Sequence, residues 1–287
     1  MDRRTLLIGG MAVTALGLAG CNGSQDSAAA KSSRIVSAGG DVTEILFALG
    51  LGDQVVAVDD TSLYPEAVHA LPKVGYLRDL GAEGVLSLAP TTVVASGDAG
   101  PPTTLAQLED AGVRIVRTKT ARTSEDVIAN IEIIAEAFGR EIEARALTDT
   151  FQRDMTAATA QIEGYSDKPC ALFLLAVNAG SPNAAGAGTA ADAMITLAGG
   201  KNPVSAFEGY KALSPEAAVM TQPDVILMMS HALAAAGGAE RVAANPAIAA
   251  TPAGSDARIV PIDGTFHLGF GPRLPAAIVS LAELMRA

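Results

Sequence analysis

Tyr76 and Arg78, in the stretch "VGYLRDL" at 74–80, are residues whose types and spacing could do chemistry. A phenol close to a guanidinium is an oxygen donor beside a cation that favours its charged form. In an extended segment positions i and i+2 point the same way, so the two side chains would share one side. Taken alone, the stretch also fits a tyrosine lining a surface turn, and the rest of the chain has to decide between the two.

A second candidate is "HLGFGPR" at 267–273. Gly269 and Gly271 allow a tight backbone path, Phe270 offers an apolar plate, and Arg273 is expected to start the last helix after Pro272 at its first position. The three histidines, His69, His231 and His267, show no i, i+4 pairing with one another, so they make a poor metal site. His69 reads as a surface residue. "GAGTAA" at 186–191 fits a G-x-G-x-x-A dinucleotide fingerprint, but "NAGSPNAA" reads as a loop where that fingerprint needs a strand. What remains is Thr189 as the cap of a helix whose free N–H groups would favour an anion. The chain has no G-x-S-x-G elbow and no Walker sequence, so hydrolase and NTPase readings lack their machinery.

The elements that must position these residues follow from periodicity. Short β-branched runs at 34–38, 55–59, 91–96 and 114–119 alternate with helical patterns, which implies parallel βα units. From Ser124 the apolar spacing becomes 3.6-periodic, interrupted at Gly139, and the piece over about 140–163 contains no proline and no internal glycine. It is long enough to be a stiff connecting rod. The βα alternation then resumes and ends in a helix from about Pro272 to Met285. The expected fold is therefore α/β: two Rossmann-like lobes with parallel sheets, at 34–122 and 164–287, joined through 123–163 by a single long helix. An internal echo agrees with duplicated halves. "EGVLSLAPTTVVAS" from Glu83 and "EAAVMTQPDVILMM" from Glu216 each run from Glu through Pro into a β-rich stretch.

Residues 1–20 read as a secretion signal, with Arg3 and Arg4 ahead of an apolar stretch too short for a durable membrane span. "LAGC" at 18–21 resembles the lipobox of bacterial lipoproteins, which would make Cys21 a lipidated N-terminus. The pair of arginines also permits twin-arginine export. Residues 21–33 then serve as a lipidated, flexible tether. The net charge of −11, one unit more negative without the signal, argues against nucleic acid or anionic membrane as the main partner. Cys170, the other cysteine, lies in the apolar run "CALFLLAV" and reads as a small buried hydrophobe. A cysteine-ligated zinc or iron–sulfur site is excluded.

With "GGDVTEILFALG", "GYLRDLGAEGVLSLAP", "AGAGTAADAMITLAGG", "GYKALSPEA" and "GFGPRLP" in view, residues 33–287 resemble the substrate-binding lipoproteins of bacterial haem ABC importers. These belong to the class of binding proteins whose two lobes are bridged by one helix. The resemblance implies haem as the transported ligand, Tyr76 as its axial iron ligand, Arg78 beside the iron–phenolate bond and Arg273 meeting haem propionates, where the helix capped by Thr189 would add support. His267 and Tyr210 are candidates for the second axial position. It also implies a monomeric protein outside the cytoplasmic membrane that delivers haem to a permease–ATPase complex without catalysing a reaction, docking through Glu83 and Glu216. The chemistry is coherent, since ferric haem accepts a tyrosinate ligand and iron and a guanidinium both favour the charged phenol. Alternatives are a corrinoid or ferric-siderophore ligand on the same fold, or a dinucleotide-dependent enzyme using "GAGTAA".

Overall fold

The chain is described here from a computed structural model covering residues 33–177 and 181–287. The signal segment 1–20 and the lipidation site Cys21 lie outside the described residues. The first half contains β1 (Ile35–Ala38), α1 (Gly40–Ala48), β2 (Val55–Val58), α2 (Ala82–Leu86), β3 (Thr92–Ala95), α3 (Pro102–Asp110), β4 (Arg114–Arg117) and α4 (Ser124–Phe138). Its sheet has the order β2-β1-β3-β4, and every pairing is parallel. β1 and β3 are buried along their whole length because helices cover both faces, which explains their continuous apolar runs.

Then comes α5 (Glu141–Glu163), 23 residues and so about 35 Å long. Gly139, in the left-handed conformation at φ 65°, separates it from α4. α5 packs against α4 and against the last helix of the chain, α13 (Leu274–Leu284). One apolar core runs through both halves: Ile35, Leu46, Ile131, Phe151, Phe173 and Ile278 all belong to it. A shared core of this kind opposes large relative movement of the lobes.

Between those two helices lie β5 (Ala171–Val177), β6 (Pro182–Ala185), α6 (Ala190–Leu197), β7 (Tyr210–Ala212), α7 (Pro215–Thr221), β8 (Val225–Met229) and α8 (Ser230–Ala235). They are followed by the short helices α9 (Ala239–Ala243), α10 (Pro246–Ala249) and α11 (Pro252–Ser255), then β9 (Ile259–Ile262) and α12 (Gly264–His267). The sheet order is β7-β6-β5-β8-β9. β5, β8 and β9 are parallel, as expected, and mirror β1, β3 and β4 of the first sheet. β6 and β7 add an antiparallel edge. The expectation of a loop over "NAGSPNAA" is thus corrected at Pro182–Ala185. Proline, asparagine and alanine carry little strand propensity, and proline is tolerated as the first residue of a strand.

The echo has a structural counterpart: α2 feeds β3 and α7 feeds β8, and Glu83 and Glu216 are exposed in the first turns of those helices. Cys170 is only half-buried, its thiol 3.5 Å from the Thr221 carbonyl, so it is less enclosed than its apolar neighbours imply.

Candidate functional site

Tyr76 opens a tight turn. Its carbonyl accepts from Asp79 N–H at 2.8 Å, and Gly75 ahead of it takes φ 90°, a conformation L residues rarely adopt. The buried Leu77 pins the turn to the main body, since its carbonyl accepts from Gly100 N–H at 2.8 Å and Leu80 N–H donates to the Gly100 carbonyl at 3.0 Å. Tyr76 is left 43% exposed on a fixed backbone. Arg78 folds back and donates from Nη1 to the Tyr76 hydroxyl at 2.6 Å. The two side chains do share a side, but a turn rather than an extended strand brings them together.

Asp98 holds the other arm of Arg78, with Nη2 to Oδ2 at 3.1 Å. The same oxygen lies 3.4 Å from Arg122 Nη2, while Oδ1 accepts from the Thr120 hydroxyl at 3.0 Å. Burial opposes the charge on Arg78, but the Tyr76 hydroxyl and Asp98 outweigh it and raise its pKa. Arg122, in the segment between β4 and α4, reaches the second half: its Nε is 3.5 Å from the Gly188 carbonyl and its guanidinium lies 5.9 Å from the Phe270 ring centre. Phe270 is buried with φ 46°, a strained conformation for a bulky residue.

Tyr210 belongs to the same neighbourhood. Burial pushes its phenol pKa up against the pull of the Arg122 charge and of hydrogen bonds to the Ala191 backbone and the Thr189 side chain. Although 37% of the residue is exposed, its hydroxyl end is enclosed, and Phe173 meets its ring edge-on at 6.3 Å. Thr189 is buried as the cap of α6, donating to the Gly186 carbonyl at 2.9 Å and accepting from Asp192 N–H at 3.1 Å. The capping expectation holds, and the hydroxyl proton is donated within the fold to the Gly186 carbonyl. A strand, β6, does lead into "GAGTAA", but it is antiparallel. A Cβ on Gly186 would lie 2.3 Å from the Phe207 carbonyl, so this glycine serves packing rather than a pyrophosphate.

"HLGFGPR" contributes a second cluster. Arg273 is the N-cap of α13, with Pro275 rather than Pro272 in the first helical turn. Its fork is filled by Glu44 of α1, Nε to Oε2 at 2.9 Å and Nη2 to Oε1 at 2.5 Å. Tyr64 and Phe266 lie over the guanidinium at 3.9 and 5.1 Å from their ring centres. Gly271 leaves room for the carboxylate, since a Cβ there would stand 3.1 Å from Glu44 Oε2. The bidentate face of Arg273 is thus occupied by the buried Glu44 carboxylate of the first half. Burial raises the Glu44 pKa more strongly than Arg273 lowers it.

His267 lies within the fold. It is 5% exposed, its Nδ1 lies 3.0 Å from the Asp263 carbonyl and its Nε2 3.2 Å from the Ser280 hydroxyl. A carbonyl only accepts, so Nδ1 carries the proton and Nε2 accepts from the Ser280 hydroxyl. Burial lowers its pKa, against the pull of Asp263. His69 is exposed, as expected.

Sequence reasoning missed Asp98, Arg122 and Glu44, and also Asp41, at the start of α1. The Asp41 carboxyl is enclosed and accepts from the Ser96 hydroxyl at 3.0 Å, although the residue keeps some exposed surface. Burial pushes its pKa up to about 7, with a small contribution from Asp98. Among the described residues no group of three His, Cys, Asp or Glu side chains could hold a bare metal ion.

A two-lobed α/β protein with an exposed tyrosine–arginine pair and arginines at the junction of its halves is built to bind a ligand. The chain belongs to the periplasmic binding protein family, whose pattern matches residues 35–265. It is similar to the solved structure of the periplasmic heme-binding protein BhuT in complex with two hemes, at 41% identity and a TM-score of 0.84, covering 88% of this chain and 97% of that one. It is 29% identical to the uncharacterized ABC transporter substrate-binding lipoprotein YvrC of Bacillus subtilis, over 87% of this chain and 79% of that protein. It is 30% identical to the vitamin B12-binding protein of Vibrio cholerae, over 70% of this chain and 72% of that one.

Proposed function

We propose that this protein captures ferric haem outside the cytoplasmic membrane and hands it to an ABC permease for uptake, acting as a monomeric binding protein without catalytic turnover. The observation that carries the reading is the exposed Tyr76 phenol with Arg78 donating to its oxygen at 2.6 Å. Ferric haem takes tyrosinate as a proximal ligand, and a guanidinium on the oxygen favours the charged form. The phenol is fixed by its turn, so little order has to be created on binding. His267 and Tyr210 are the candidates for a contact on the other side of the ligand. Residues 34–122 and 164–287 act as the two lobes, linked through 123–163.

A corrinoid is the second reading, favoured by the vitamin B12-binding relative. The heme-binding structure is more similar over more of the chain, which favours haem. Adding hemin or cobalamin to the purified protein separates them. A Soret band with high-spin ferric features and saturation by hemin supports haem, whereas saturation by cobalamin alone would replace the reading.

"LAGC" and the lipoprotein relative support an exported chain anchored through Cys21. Two acyl chains would hold it stably at a membrane. Cys21→Ala should move it from the detergent phase to the soluble fraction, and unchanged partitioning would count against the anchor. Glu83 and Glu216, exposed at matched places in the two halves, are proposed to dock on the permease. Replacing both by alanine should leave haem binding intact and lower uptake; undiminished uptake would refute docking through them.

A further inference from the structure

We infer that Arg122, and not the arginine of the "GFGPR" motif, is the residue that recognises a carboxylate of the bound porphyrin. The inference rests on the haem reading above and assigns a specificity-determining residue to it.

The two arginines at the junction of the halves differ in how their donors are used. Arg273 makes a matched two-bond fork to Glu44 and is stacked between Tyr64 and Phe266. A ligand carboxylate would have to displace a buried carboxylate and leave it unpaired, which is costly. Arg122 has one firm bond, from Nη1 to the neighbouring Ala121 carbonyl at 2.6 Å. Its contacts to Asp98 at 3.4 Å and to the Gly188 carbonyl at 3.5 Å are long for charge-assisted hydrogen bonds. Its outer donors can therefore turn to a stronger acceptor at small cost.

Position and charge agree. Arg122 and Arg78 meet the same Oδ2 of Asp98, so Arg122 is tied to the arginine that touches the Tyr76 phenol. Two guanidinium groups on one carboxylate leave one positive charge uncompensated. A ferric porphyrin core carries one positive charge, which a phenolate ligand neutralises, so the remaining cation at Arg122 matches one porphyrin carboxylate.

The test compares hemin with its dimethyl ester, which keeps iron and ring but lacks both carboxylates. Affinities are measured by Soret titration in one detergent-containing buffer, with thermal melts to confirm folding. Wild type should bind hemin about 10- to 100-fold more tightly than the ester, the range expected for a charge-assisted hydrogen bond. Arg122→Gln should lose most of that preference while the iron–phenolate bands of bound hemin persist. Arg122→Lys, which keeps the charge and most of the packing, should retain part of it and serves if the glutamine variant is unstable. The paired variant Glu44→Gln/Arg273→Gln should keep the full preference. The inference is overturned if both Arg122 variants keep the wild-type preference, or if the Glu44/Arg273 variant is the one that loses it. If wild type shows tyrosinate-ligated hemin under those outcomes, only this inference fails. If wild type binds neither porphyrin, the haem reading fails and takes the inference with it.

Discussion

Two clusters in this molecule use the same parts, an arginine, an aromatic ring and a carboxylate, and end in opposite states. Around Arg273 the parts close on each other: Glu44 is buried, the fork is filled and two rings cover the cation. Around Tyr76 they stay open: the phenol is exposed, Asp98 is shared by two arginines, and the contacts of Arg122 are long. The difference teaches that an arginine at the junction of two lobes can be a bolt or a receptor. Whether its donors already have matched acceptors decides which.

The bolt should fail on stability and the receptor on binding. The largest expected effect is therefore Arg273→Ala, which strands Glu44 in a buried place. The expected loss is about 3 kcal/mol, a drop of several degrees in Tm, at neutral pH. Adding Glu44→Gln should recover most of it, because no buried charge remains. A single variant as stable as wild type would show that the pair is not a bolt.

On the receptor side the enclosed Asp41 should cost stability rather than add to it. Its folded pKa of about 7 lies above the ordinary 3.8, so the native state holds its proton more tightly. Its contribution is thus most favourable below about pH 4 and falls as pH rises through 7. Asp41→Asn should stabilise the protein by on the order of 1–3 kcal/mol at pH 8 and leave it near wild type at pH 4. Denaturant melts at the two pH values check this, and an equal effect at both would contradict it.

The smallest effect sharpens the geometry. Gly75→Ala meets no neighbour within 4 Å, so only its φ of 90° is strained. It should cost about 1 kcal/mol in stability and weaken haem binding a few-fold as the turn tilts Tyr76 away. Unchanged affinity and stability would mean that the turn does not need this glycine.

The open cluster was half legible in the sequence. Tyr76 and Arg78 are two residues apart, and a local turn joins them whichever way the chain is read. Asp98 and Arg122 are joined to them only because β3 and β4 lie side by side, and nothing in their own sequence neighbourhoods marks them. The closed cluster was hidden for the same reason at greater range, since Glu44 and Arg273 are 229 positions apart. The fold was more legible because periodicity is local, as α4, the break at Gly139 and α5 attest. β6 escaped notice because its pairing with β5, rather than its composition, makes it a strand.

The central claim is that the Tyr76 oxygen binds the haem iron, and Tyr76→Phe tests it most directly. The substitution keeps the ring and removes only the ligand atom. Far-UV circular dichroism should remain native, while the high-spin ferric bands of the hemin complex are lost or shifted and affinity falls at least about tenfold. A phenylalanine variant with the wild-type spectrum and wild-type affinity would contradict the account and leave Tyr76 as a residue lining a turn.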